Sequence, residues 1–360
     1  MKGLYVILSL ALLATPIHAQ DFSSGNESVD LEYLYEQIDE AISESPHYVA
    51  MREKKISFCR DSFLLEKNPE KRILLAEQLF HLYRPYKNDS ALHYADLLIT
   101  LSDSIHRPDL TGRFRSLMAL QCSNTYMKAE SLEQLHLVKR SALDKKGLVD
   151  YYNARMHLYG EMGSYTQRKD IRQNYFDMQN LYRDSVMMVA EVGSEEWFHL
   201  KMDILCAQRH FQDALQLNNR WMKQVKKGSH ENAYAAFYRA IVFEHLNNHD
   251  MTNYWMGVSA LYDIRCAVMD QASLLFLAER LANDGDLSRA QRYLEFSKAC
   301  NLSFTPHLRL YQFNSVFNVI EKNRKAAHQQ TNIVLIASGV VIALLLLALV
   351  IVIVRKRKKR

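Results

Sequence analysis

Hydrophobic residues between positions 274 and 300 recur with the spacing of paired helices. In "LLFLAERLANDGDLSRAQRYLEFSKAC" they fall three or four positions apart in two segments, which flank the polar turn at residues 283–286. Residues with this spacing lie on one face of a helix, so each segment predicts one amphipathic helix. The two helices are predicted to pack through small and apolar residues at Ala278, Leu281, Gly285, Ala290 and Leu294.

Weaker copies of this unit precede it along the chain. "LCAQRHFQDALQL" places Ala214 where Ala290 stands, "VFEHLNNHDMTNYWMGV" places Asn253 there, and "YKNDSALHYADLL" carries Ala91 in the same pattern. Residues 109–305 contain no proline, and the turn residues that a β-rich fold needs are missing. Periodic helix pairs are typical of solenoids. We predict an all-α fold, a tetratricopeptide-like α-solenoid whose clearest repeats span 197–305.

The chain closes with a long apolar segment. Ile333 to Val354 carries no charge, and its 22 residues would extend about 33 Å as a helix, against about 30 Å of bilayer hydrocarbon. A basic cluster follows directly, and Lys and Arg beside a span stay cytoplasmic and attract anionic lipid. We predict a transmembrane helix at 333–354 and a cytoplasmic tail of Arg355, Lys356, Arg357, Lys358, Lys359 and Arg360.

The first residues have the pattern of a signal peptide. Lys2 precedes an apolar run from Leu4 to Ala14, and Ala19 ends an acceptable cleavage site. The run is shorter than a span needs, although an uncleaved anchor remains the alternative. We therefore predict a signal peptide at 1–19 and a helical-repeat ectodomain at 20–332. This ectodomain lies in the periplasm, tethered to the cytoplasmic (inner) membrane by a single pass.

Charge and cysteine content narrow the function classes. Without Lys2 and the six tail residues, 38 Lys and Arg stand against 40 Asp and Glu, so the ectodomain lacks the basic footprint of a nucleic-acid binder. Five cysteines form no C-x-x-C pair. Free buried thiols and one or two disulfides both fit this count, and no pairing follows from spacing.

Candidate catalytic chemistry is sparse. His245 and His249 have the four-residue spacing of zinc ligands and are the best metal candidates, but they fall on a repeat turn, where solvated polar residues explain them better. We therefore predict no metal site. His230-Glu231 begins an H-E-x-x-H motif, but Tyr234 occupies the position of the second histidine. No glycine-rich phosphate loop and no nucleophile elbow occurs. We predict that the protein is not an enzyme and carries no cofactor.

Two features bear on partners. Tyrosine and tryptophan are abundant; most are expected to pack between helices, and the rest to line a concave surface that binds an extended peptide or a partner helix. No breaker intervenes between Leu310 and the span, which predicts one helix running from the last repeat into the bilayer. Gly339 and Ala343 form a small-x-x-x-small pair suited to packing two spans in a homodimer.

The layout resembles a family of bacterial envelope proteins grouped under a domain of unknown function. The resemblance rests on the exported start, "LEYLYEQIDEAI", "YVAMREKKISFCRDSF", "YKNDSALHYA", the degenerate helix pairs and the single span. The resemblance implies a layout related to tetratricopeptide-containing sensors and regulators. Together with the aromatic residues and the sparse catalytic motifs, the repeats predict a scaffold or receptor for a protein or peptide. The alternative is the sensory half of a transmembrane regulator, although the sequence stops six residues after the span, and its output domain would then be missing or supplied by a partner.

Overall fold

In the computed structural model, residues 29–305 and 310–358 are described, and their regular secondary structure is helical throughout. The predicted all-α, tetratricopeptide-like class is confirmed. The helices are α1 (Leu31–Ser43), α2 (Ser45–Leu65), α3 (Pro69–Tyr83), α4 (Asn88–Ser104), α5 (Pro108–Asn124), α6 (Lys128–His136), α7 (Lys145–Tyr165), α8 (Lys169–Val189), α9 (Glu195–Ala207), α10 (Phe211–Gln224), α11 (His230–His245), α12 (His249–Arg265), α13 (Ala272–Asp284), α14 (Leu287–Phe304) and α15 (Leu310–Lys358), with a 3₁₀ turn at Arg140–Ala142.

Polar side chains mark where many helices begin. The carboxylate of Asp30 accepts the Tyr33 amide at the start of α1, and Asn68, Asp144, Ser194, Ser229 and Asn248 accept amides in the same way at other starts. Each such bond satisfies an amide that has no partner within its helix. The residue just before each of these helices therefore specifies where the helix begins.

Helix ends follow one recurring motif. At six turns a residue has a positive φ, and the amide after it donates to the carbonyl oxygen five residues earlier, at 2.9–3.0 Å. This is the Schellman arrangement, in which the left-handed residue closes the helix. Four of the six positions carry a side chain that this conformation disfavours, whereas Asn and Gly adopt it more readily. The residues are His106, Tyr126, Arg209, Asn247, Ala267 and Gly285.

The left-handed residues also fix the register of the repeats. Arg209, Asn247 and Gly285 are each 38 residues apart, and the residue five positions after each is buried: Ala214 at 0%, Thr252 at 1% and Ala290 at 0%. The sequence alignment with Asn253 at this position is therefore shifted by one residue. Asn253 is buried too, so burial alone does not separate the neighbours; the turn geometry does.

Residues 29–274 and 296–305 form most of the larger of two compact units. Consecutive helices pack on one another, and α1 and α2 also contact α12. The Arg52 guanidinium of α2 donates to the carbonyl oxygens of Leu82 and Cys266, each at 2.6 Å, and the Met269 amide donates to the Pro85 carbonyl at 2.8 Å. This unit therefore closes on itself between α1–α3 and the chain around α12.

Close packing of α1 on α12 completes this closure. Gly257 of α12 lies against α1, where an added Cβ would stand 2.8 Å from Leu34 Cδ2 and 3.4 Å from Ile38 Cδ1. Leu34 and Ile38 are 5% and 0% exposed. Because a side chain at 257 would occupy the same space, glycine permits the contact.

The smaller unit comprises residues 275–295 and the described part of 310–360. Its α15 is continuous from Leu310 to Lys358, which confirms that one helix runs from the end of the repeats through the apolar segment. Phe313, Val316 and Ile320 are buried on it, whereas Phe317 is 47% exposed. A turn of 100° per residue places 317 on the edge of the buried face. Asn323 donates to the Ala282 carbonyl at 2.7 Å.

Within the part of the chain that the structure describes, α15 is the helix long and apolar enough to cross a membrane. The candidate span, Gln312–Leu346, has a mean hydropathy of 1.8 in its most apolar window of 18 residues, which is not buried by protein. The predicted signal peptide, residues 1–19, lies outside the described residues. All five cysteines are free, and burial raises the pKa of the thiols of Cys122, Cys206 and Cys300 to about 12.

Candidate functional site

Two neighbouring helices present matching stripes of polar and aromatic side chains. Glu195, His199 and Asp203 lie four apart on α9, and His230, Tyr234 and Tyr238 lie four apart on α11. Residues four apart share a helix face. We call these six residues the α9–α11 ladder; each α9 member precedes its α11 counterpart by 35 residues.

Local sequence sets this matching. The hydroxyl of Ser194 accepts the Trp197 amide and that of Ser229 accepts the Asn232 amide, so in each helix the N-cap stands one residue before the ladder's first member. Ser is a favoured N-cap because its oxygen satisfies an amide of the first turn. The two stripes therefore start at the same position in their helices, directly after the cap.

Ring stacking joins the middle of the ladder. The imidazole of His199 stacks on Tyr234 at 5.0 Å and on Tyr238 at 5.4 Å between ring centroids, and Trp221 of α10 meets the same imidazole edge-on at 4.9 Å. Burial lowers the pKa of His199 to about 3. The imidazole is therefore neutral at physiological pH.

The two ends of the ladder hold ionisable pairs. At one end His230 Nδ1 lies 2.7 Å from Asp263 Oδ1 of α12. Burial opposes charge on His230, but Asp263 outweighs it, so the pKa of His230 is raised. Burial raises the pKa of Asp263 even against this attraction. At the other end burial raises the pKa of Asp203, beside the Tyr238 hydroxyl, to about 7.

The ladder remains accessible although protein surrounds it. The side chains of Glu195, His199 and His230 keep 46%, 23% and 32% of their surface exposed. Burial and the neighbouring charges of Glu196 and Glu231 raise the pKa of Glu195. Glu195, Glu196 and Glu231 outnumber the positive groups that act on Glu195, which are Arg84 and His230, so the face offers carboxylates beside aromatic rings. Such a surface suits a cationic group.

A protein-family model matches the part of the chain that contains the ladder. The model described as "SusR N-terminal TPR domain" matches residues 42–315, from the end of α1 into α15. The chain belongs to this TPR family. No curated protein matches the chain. The match supports the helical-repeat part of the predicted resemblance, while the envelope grouping stays a prediction.

The residues predicted to pack the repeats are buried, except Gly285, which lies at a turn. Ala91, Ala214, Ala278 and Ala290 are fully buried, Leu281 and Leu294 are 4% exposed, and Gly285 closes α13 with a φ of 97°. Small buried residues let neighbouring helices approach closely.

The predicted metal candidates lie apart from the ladder. His245 ends α11 and His249 begins α12, so their four-residue spacing crosses a turn instead of one helix face. His245 stacks on Phe211 at 5.3 Å. No group of three His, Cys, Asp or Glu suited to a metal ion occurs among the described residues. The absence of enzymatic activity stays a prediction.

The predicted anchor residues lie on α15. Ile333 is 66% exposed, Ala343 is exposed, and no atom lies within 4 Å of a Cβ added at Gly339. Val354, Arg355, Lys356, Arg357 and Lys358 continue the helix, and Lys359 and Arg360 lie outside the described residues.

Some of the ladder residues were noted in the sequence, but their contacts with one another were not predicted. Tyr234 and Tyr238 were expected as aromatic residues of packing or binding surfaces, and Tyr234 counted against a zinc motif beginning at His230. Glu195, His199 and Asp203 were missed. The detectable signal was a pair of N-capped helices with polar or aromatic residues at every fourth position.

Proposed function

We propose that the protein is a membrane-anchored receptor or scaffold whose TPR domain binds a protein or peptide in the periplasm. The observation that carries this proposal is the α9–α11 ladder, an accessible face with aromatic rings and excess negative charge. Helical-repeat proteins use extended surfaces to hold such ligands. The ligand inserts a basic side chain, Lys or Arg, beside Glu195 and Tyr234.

The anchor follows from α15. Its apolar stretch is long enough to span a bilayer, and the basic residues from Arg355 to Arg360 stay on the cytoplasmic side beside anionic lipid. The repeats then lie on the periplasmic side of the inner membrane. A ligand bound at the ladder is thereby held at the membrane.

Affinity purification of the intact protein from solubilised membranes tests the binding role. We expect at least one protein to be recovered with the wild type and lost with Glu195→Gln combined with Tyr234→Ala. The double substitution removes one carboxylate charge and one ring from the exposed end of the ladder.

The matched control is Glu133→Gln combined with Tyr33→Ala, which changes exposed residues of α6 and α1. It should recover the same proteins as the wild type. Identical recovery from all three chains, or no specific partner in any, would refute binding at the ladder.

A second candidate is the sensory half of a transmembrane regulator. The observation favouring it is the family description, which places the TPR domain at the N-terminus of SusR. In that case ligand binding acts on a cytoplasmic partner through α15. A photocrosslinker placed at Arg355 should then capture a signalling or DNA-binding protein. Capture of lipid alone would favour the scaffold or receptor function.

A further inference from the structure

Helix α2 carries an exposed apolar stripe on the side away from its core. Met51, Phe58 and Leu65 are 49%, 77% and 81% exposed and stand seven residues apart. Seven residues are close to two helical turns, so the three side chains form one row about 21 Å long. We call these three residues the α2 stripe.

The stripe is not needed to hold α2 in place. The residues that bury α2 are Ile56, Cys59 and Phe63, on another face of the helix. Exposed apolar surface rimmed by polar and charged residues marks interaction sites. The stripe therefore has the character of an interface.

The charges beside the stripe are arranged for pairing with the same surface. Lys54 and Asp61 are both exposed, and they stand four residues before and three residues after Phe58 on the same flank. When two copies of α2 pair antiparallel about a two-fold axis at Phe58, Met51 meets Leu65 of the other copy. Lys54 then lies beside Asp61 of the other copy, and the symmetry repeats both contacts.

We propose that two copies of this chain associate through the α2 stripe as an antiparallel pair. A two-fold interface must be complementary to itself, and this surface satisfies that condition in both its apolar row and its charges. The interface requires neither the ladder nor the Gly339 and Ala343 pair of the apolar segment. It is compatible with ligand binding at α9 and α11.

Disulfide cross-linking of the full-length protein in native membranes tests the contact directly. Phe58→Cys brings two identical positions together at the axis, so oxidation should give a covalent dimer. Met188→Cys is the matched control, because Met188 is 80% exposed on α8 and outside the stripe. The wild type measures the background from its five native cysteines.

A charge exchange separates this interface from any other dimer contact. Lys54→Glu and Asp61→Lys each place like charges together, and each should lower the cross-linking of Phe58→Cys by about tenfold. The double exchange restores opposite charges and should restore cross-linking. Each variant keeps its core residues, and an unchanged thermal midpoint will establish that it folds.

Three outcomes would overturn the proposal. Phe58→Cys could cross-link no better than Met188→Cys, or cross-link to a different protein. Alternatively, the double charge exchange could fail to restore what the single exchanges remove. A dimer that persists in light scattering after all these changes would point to the apolar segment of α15 instead.

Discussion

At the scale of single residues, the turns hold conformations that their side chains disfavour. Arg209 is exposed and has a φ of 60°, whereas the equivalent Gly285 adopts this region without steric cost. Left-handed backbone costs a non-glycine residue about 1–2 kcal/mol. The end of α9 is therefore locally strained, although its Schellman bonds are intact.

Arg209→Gly should stabilise the protein by about 0.5–1 kcal/mol, because strain relief exceeds the added freedom of the unfolded chain. Urea unfolding of the purified protein measures the change. Arg209→Ala should give no gain, and Gly285→Ala should cost about 1 kcal/mol. Equal effects of Gly and Ala at 209 would show that the strain is not what limits this turn.

Asp203 makes stability depend on pH. Burial raises its pKa from 3.8 to about 7, so the folded chain retains a proton that the unfolded chain loses between these values. The stability contributed by this group is greatest at low pH and falls as pH rises through that window. Asp203→Asn mimics the protonated form, so it should match the wild type near pH 4 and exceed it at pH 8 by roughly 1–3 kcal/mol.

Thermal midpoints of the wild type and Asp203→Asn between pH 4 and pH 8 measure this difference. Comparison of two chains cancels the opposite trend expected from His199, whose pKa lies at about 3. Asp213→Asn, at a side chain 66% exposed, is the matched control for the loss of one carboxylate. Parallel curves for Asp203→Asn and the wild type would contradict a raised pKa.

At the scale of helices, the sequence carried most of the information about pairs and little about contacts between distant helices. The spacing of Leu281, Gly285 and Ala290 is local, so it predicted a helix, a turn and a second helix. The length of one repeat was harder to predict, because equivalent helices differ in length: α9 has 13 residues and α11 has 16. The ladder therefore repeats after 35 residues and the turns after 38.

The ladder and the closure of the larger unit depend on tertiary packing. His199 and Tyr234 stack because α9 and α11 pack side by side, and that neighbourhood is not encoded within either helix. Leu34 and Gly257 are separated by more than 200 residues along the chain. A single sequence gives no periodic signal for such a contact, although Gly257 inside a helix marked an unusual position.

Gly257→Val should displace α1 from α12. The new side chain would overlap Leu34 and Ile38, and overpacking of this kind costs about 1–3 kcal/mol. Hydrogen exchange should accelerate in residues 31–43 and remain slow in α9 and α11. Adding Leu34→Ala makes room, so the double variant should recover part of the protection. Uniformly faster exchange would instead mean that α1 and the ladder unfold as one unit.

At the scale of the whole molecule, α15 joins a folded helical-repeat chain to an exposed apolar surface. Side chains from Ile333 to Leu346 are largely exposed, and protein does not bury the apolar window. Such a surface is unstable in water and stable in lipid. The packed residues of α15, Phe313, Val316 and Ile320, all precede residue 331.

Ending the chain after residue 330 should therefore release a soluble protein and leave its folding unchanged. The full chain should remain with membranes through alkaline carbonate extraction, whereas the shortened chain should appear in the soluble fraction with the same thermal midpoint. A charged substitution, Leu345→Arg, should weaken insertion by about 3 kcal/mol without altering the midpoint. Extraction of the full chain by carbonate would contradict a membrane span. Loss of the midpoint on shortening would instead mean that the apolar segment stabilises the repeats.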